Sequence, residues 1–407
     1  MMLHGISGAA IAAALATAAI AQSAPPARGP AENGQPAWFL KGSFPDPQGF
    51  TATAHGGMVT VLPRPTTPPR LDLPNPPPCR KAQSCGNVLP DAPKRSEMQR
   101  VQWAQTLGYR FSYPIDLPAG TGGVPAVALD SGGNMWVFQR KPTGMAQLFK
   151  YDRAHKLILT VGEDVIPHHN KAHGMAVDAE DNVWIVDTGL ATVTKLSPDG
   201  KVLLRLGQRG HRGDWDEARG QRLLWEPVMV AFGRNGDVYI AQGHGNESPN
   251  DTQSDDPANQ SGAARVLQLD RNGKFVRQWF GNDVGQGKFA NAHAIGIDPV
   301  NGDVWIGDRE DYRILIYSAD GHFLRQIPTR NLICAIQFDH QGNPWMASGQ
   351  DGQFLKLDRS GRILGAVGNG MGIGPGEFIE ASYWVFDKQG NLYAGDTSVS
   401  RVTVMTK

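Results

Sequence analysis

The sequence predicts an all-β chain closed into a six-bladed β-propeller, and three observations carry that reading. One four-strand pattern recurs six times between residues 98 and 407, beginning at "VPAVALDSGGNMWVFQR", "AHGMAVDAEDNVWIVDT", "PVMVAFGRNGDVYIAQG", "AHAIGIDPVNGDVWIGDR", "ICAIQFDHQGNPWMASG" and "ASYWVFDKQGNLYAGDT". Within each copy apolar residues alternate with period two between Gly, Asn and Asp turns, which marks short antiparallel strands. Copies start about 40–65 residues apart, and a period of that order at four strands per unit is that of a propeller blade. A closed ring of six blades leaves few strand edges exposed.

The N-terminal elements come first. Residues 8–21, within "GAAIAAALATAAIAQS", are apolar, and Ala19-Ile20-Ala21 has the small-x-small form of a cleavage site. Residues 1–21 therefore read as an export signal, which directs the chain to a secreted or periplasmic location. The run is short for a membrane span, and no second one follows, so none is expected after cleavage. Residues 22–97 are rich in Pro and Gly and read as an irregular arm. Cys79 and Cys85 lie there, close enough to form a small disulfide in an oxidising compartment. Cys334 is left over. Lys plus Arg and Asp plus Glu number 39 each, so nothing favours nucleic acid or an anionic membrane.

The blades occupy residues 98–407. The last copy ends at "RVTVMTK" with three strands, so its fourth comes from upstream of blade one, where "RVQWAQTLGY" is placed to close the ring. Innermost strands line the axis, and equivalent positions on them form a ring: Pro125, His173, Val228, His293, Cys334 and Ser382. The histidines belong to blades two and four, about 120° apart in a sixfold ring, where imidazoles can meet at one ion or serve as hydrogen-bonded core residues. After the second strand, Arg140 of blade one and Arg309 of blade four share a slot. Their guanidinium groups suit a small-molecule or peptide carboxylate, or an ion pair within the blade. Blade three carries a polar insertion, "GHGNESPNDTQSDDPANQSGAA", that begins with His244 at the mouth of the channel.

The repeats are similar to NHL repeats. "AHGMAVDAEDNVWIVD", "ARVLQLDRNGKFVRQW", "AHAIGIDPVNGDVWIGDREDYRI" and "VALDSGGNMWVFQR" together resemble the catalytic domain of peptidyl-α-hydroxyglycine α-amidating lyase. Enzymes of that family cleave an α-hydroxyglycine-extended peptide to a peptide amide and glyoxylate. The resemblance covers roughly residues 100–407 and implies zinc at His173 and His293, active-site arginines at Arg140 and Arg309, and a structural calcium held partly by the backbone carbonyls of Val127 and Met175. The family's third zinc histidine falls on Ser382, its calcium aspartate on Tyr383 and its active-site tyrosine at about His244, while its disulfide cysteines are missing.

A metal-dependent lyase-like enzyme is the function expected first, with His244 as third ligand or base; Cys334 and Ser382 are the other candidates for that ligand. Chemistry of this kind needs a Lewis acid and a base within hydrogen-bond reach. A non-catalytic propeller that binds a ligand or protein at its loop face is the alternative, since one fold hosts many functions. A calcium-dependent lactonase ranks last, because such sites need carboxylate and amide oxygens that this ring lacks.

Overall fold

The computed structural model describes residues 107–407 apart from 141–143, 168–170, 245–263, 281–288, 290, 310–312, 330–331 and 371–373, together with three short strands of the arm. In the arm, Phe39–Lys41 and Thr53–Ala54 flank Gly57–Val61 in a small antiparallel sheet. Cys79 and Cys85, residues 1–21 and residues 245–263 of the insertion lie outside the described residues.

Six four-stranded antiparallel sheets form the ring. Their innermost strands are Gly123–Leu129, Ala172–Val177, Pro227–Phe232, Ala292–Ile297, Ile333–Phe338 and Ala381–Phe386. The inner strands are almost wholly buried, whereas the outer strands keep exposed apolar residues such as Ile158 and Leu203. Blade six closes as expected from upstream of blade one, a few residues later than "RVQWAQTLGY": Arg110–Ser112 pairs with Val399–Thr406, with Phe111 opposite Met405. The described residues include no α-helix, and among them no helix is long and apolar enough to cross a membrane.

Two recurring hydrogen-bond devices explain why the copies look alike. In five of the six blades an aspartate follows the inner strand, and it latches the next turn; blade three has Gly233 there. Asp178 accepts the Asn182 N–H at 2.9 Å and the Trp184 indole N–H at 2.9 Å, and pairs with Lys195 at 2.9 Å. Asp339 repeats this with Asn343, Trp345 and Lys356. The D-x-x-x-N-x-W spacing is thus one carboxylate satisfying the polar groups of a buried turn.

The second device sits where the second strand ends. A polar side chain there accepts the backbone N–H of the residue seventeen positions upstream: Gly122 to Gln139, Trp225 to Gln242, Asn291 to Asp308 and Ile379 to Asp396. It fixes the loops that enter the inner strands, along the edge of the ring called the mouth below. Each inner strand also shifts register near its start, and His173 and His293 fall within that irregularity. Bulges re-aim side chains, which here directs both imidazoles inward.

One element has no counterpart in the repeat. Between blades two and three a small hairpin pairs Trp215–Asp216 with Gln221–Arg222. Arg212, just before it, pairs with Glu226 at 3.0 Å.

Candidate metal centre at the axis

His173, His293 and His244 converge. One ring nitrogen from each lies within 4.8 Å of the others, and all three residues are buried. The ring centroids of His173 and His293 are 4.8 Å apart, and His244 lies 4.9 and 5.3 Å from them. His173 and His293 arrive on inner strands. His244 arrives from the loop after the second strand of blade three, turned in by Gly243 at φ +123°. A Cβ at Gly243 would lie 3.1 Å from the Cα of Ala264, so the left-handed backbone and the close approach both call for glycine.

The hydrogen bonds set the tautomers. Nδ1 of His173 lies 2.9 Å from the carbonyl of Val228, which only accepts, so Nδ1 carries the proton and Nε2 a lone pair. Nε2 of His293 lies 2.9 Å from Nη1 of Arg309, which only donates, so this Nε2 is also bare. Burial holds the pKa of His173 well below the usual histidine range, with His293 and Arg140 adding to the effect. Burial does the same for His244, reinforced by His173 and Arg309. Neutral imidazoles are what a divalent ion requires, and His293 would have to release its Nε2 lone pair from the Arg309 N–H to serve as a donor. Donors roughly 3.4 Å apart would be needed for a tetrahedral zinc with Zn–N of about 2.0–2.1 Å, so the imidazoles would have to close up to hold one.

The calcium implied by the resemblance does not fit. Val127 and Met175, whose backbone carbonyls the resemblance assigns to the ion, lie within paired strands, opposite Val137 and Ile185. Tyr383 stands in the carboxylate's slot, and its hydroxyl donates to the carbonyls of His293 at 3.0 Å and Val228 at 3.4 Å. A cation needs an anionic acceptor there, and the residue present is a donor whose pKa burial pushes up. Ser382, in the slot of the family's third histidine, is buried and carries a neutral hydroxyl, a poor ligand for zinc. The Cys334 thiol turns to Glu380, 3.7 Å away.

The arginines frame the mouth. Arg140 reaches from blade one to donate its Nε–H to the carbonyl of Ala172 at 2.7 Å, beside His173. Burial lowers its pKa, the Glu380 carboxylate is the largest opposing influence, and Arg309 adds to the lowering. Two cations from blades facing each other are thus electrostatically coupled across the axis. Glu310 and Asp311, the partners an ion pair within blade four would use, lie outside the described residues.

Sequence reasoning missed the column two residues before the axial slot: Gly123, Lys171, Glu226, Asn291, Leu332 and Glu380. Its polar members surround the mouth. The signal was in the same alignment that gave the histidines, read two places to the left.

The architecture and site define a class, six-bladed propellers with a histidine cluster on the axis. The chain resembles, within that class, the peptidyl-α-hydroxyglycine α-amidating lyases. It is 28% identical over 271 residues to peptidyl-α-hydroxyglycine α-amidating lyase 1 of Drosophila melanogaster, covering 58% of this chain and 46% of that protein. Over 233 residues it is 28% identical to the peptidyl-glycine α-amidating monooxygenase of Mus musculus, covering 51% of this chain and 22% of that protein. The chain thus spans less than half the length of these two relatives. No family model matches. Among solved structures, a gluconolactonase from Xanthomonas campestris matches with TM-score 0.52 at 16% identity, over 74% of this chain and 91% of that one. A streptogramin B lyase matches with TM-score 0.51 at 13% identity, over 73% and 97%. At such identities the solved structures speak for the fold alone.

Proposed function

We propose that this chain is an exported, zinc-dependent lyase acting on an N-acyl-α-hydroxyglycine, free or at the end of a peptide. The convergence of three buried, neutral imidazoles beside two arginines carries the reading. The low-identity relatives named as lyases support the reaction class, and the apolar run at residues 8–21 supports export.

His173, His293 and His244 would hold the ion, which when bound supplies a Lewis acid to polarise an oxygen of the substrate. An all-imidazole set suits several transition metals, and zinc is preferred here because it needs no redox partner. Arg140 and Arg309 grip the substrate carboxylate. Glu380, half-buried beside Arg140, takes the proton of the substrate hydroxyl. The freed O–H electron pair becomes the second bond of a carbonyl, the C–N bond breaks, and the departing nitrogen recovers the proton from Glu380. The products are an amide and glyoxylate, with no oxidant or reductant consumed.

The test is incubation of the zinc-loaded protein with N-benzoyl-α-hydroxyglycine. Benzamide and glyoxylate in equal amounts, lost in Glu380→Gln while zinc stays bound, are expected. A fully metallated protein with no turnover would leave a binding propeller.

A further inference from the structure

His244 differs in kind from its two partners. His173 and His293 ride on inner strands fixed by sheet pairing, whereas His244 sits on a loop, and loops move unless they are pinned. Its peptide is gripped on both sides. Oε2 of Glu226 accepts the His244 N–H at 3.1 Å, and the Glu226 carbonyl accepts the Gly243 N–H at 2.8 Å. Nδ2 of Asn291 donates to the His244 carbonyl at 3.1 Å. The carboxylate of Glu226 is itself paired with Arg212 at 3.0 Å, each side chain 3% exposed.

Asn291 reaches further. Its own N–H goes to Asp308, which Arg313 holds at 2.7 Å. Its carbonyl accepts the N–H groups of His293 at 2.8 Å and Arg309 at 3.3 Å. One buried residue thus touches the backbone of two metal-ligand candidates and of one substrate arginine.

We propose that Asn291 and Glu226 are positioning residues, a clamp that holds the loop-borne His244 imidazole against His173 and His293. The inference rests on the metal reading above. The clamp lets blade three supply a ligand through a loop. Arg212, from the segment just before the extra hairpin, pairs with Glu226, and an uncompensated carboxylate there would be buried at high cost.

The experiment is cobalt(II) titration of the full chain, read as dissociation constant and as the visible spectrum of the bound ion. Asn291→Asp keeps the side-chain shape and all backbone bonds but faces the His244 carbonyl with an acceptor. Outer-shell changes of this kind cost about 10–100-fold in metal affinity, and that loss with an altered cobalt spectrum is expected. The same substitution made in His244→Ala should cost nothing further, because its effect passes through His244. Glu226→Gln, which cannot serve Arg212 and His244 with two carboxylate oxygens, gives a second route if Asn291→Asp fails to fold; a loss of roughly tenfold, again absent in His244→Ala, is expected. Parent-like affinity in a folded clamp variant, or an equal loss in both backgrounds, overturns the clamp and leaves the metal reading standing. A parent that takes up no cobalt overturns both.

Discussion

Removing one oxygen atom tests how the axis is bolted together. Tyr383→Phe keeps the ring, which lies 5.4 Å from the His173 imidazole, and deletes only the hydroxyl. That hydroxyl donates to two carbonyls from different blades. Val228 retains the Nδ1–H of His173 as a donor, so its loss is small. The His293 carbonyl loses its 3.0 Å bond in a buried setting, a loss of about 1–3 kcal/mol. Taking about 2 kcal/mol, and an unfolding entropy of about 2.1 cal/mol/K per residue over roughly 300 residues, the melting temperature falls by about 3 °C. Scanning calorimetry of metal-free parent and variant reads the shift directly. A change under about 1 °C, with calorimetric and van't Hoff enthalpies in agreement, would refute the reasoning.

Two further outcomes follow from the same geometry. Arg140→Ala should weaken a carboxylate ligand such as glyoxylate by about tenfold or more, since a charge-assisted bond is worth roughly 1.5–3 kcal/mol; calorimetric titration checks this, and unchanged binding assigns Arg140 to structure alone. Acid should loosen the blades through their latches. Burial works to raise Asp339, but the Trp345 and Asn343 bonds and Lys356 prevail and bring it down to about 2 from 3.8. A carboxylate depressed on folding stabilises above its unfolded pKa, and that stability is lost as pH falls from about 4 toward 2. Asp339→Asn should therefore flatten the acid limb of the stability curve in that window and lower stability at pH 7. An acid limb identical to the parent's would show that the latch carries no linkage.

The ring of blades was legible because its signals are local and repeated. The full latch of Asp, Asn, Trp and Lys recurs at fixed offsets in blades one, two and five, and the other copies keep part of it. The axial ring was legible for the same reason, since His173 and His293 hold one alignment column. His244 lies outside every repeat strand and was reached through its neighbourhood at the mouth. Glu226, Asn291 and Glu380 were not seen, because each fills a different role in one column, with no shared residue type to mark it. Arg212 was beyond sequence reasoning, since it lies in the segment between blades two and three that belongs to no repeat. The calcium expectation failed on one residue, Tyr383, whose hydroxyl spans carbonyls where the resemblance implies a carboxylate holding an ion.

The central claim is that the axis holds one ion on three histidines. Elemental analysis of the purified chain after incubation with zinc and exhaustive dialysis tests it most directly. The account predicts close to one zinc per chain in the parent, and less than about a tenth of that in His173→Ala and in His244→Ala, because a zinc site needs at least three protein ligands. A parent that dialyses free of zinc, or a His173→Ala variant that retains it in full, would contradict the account.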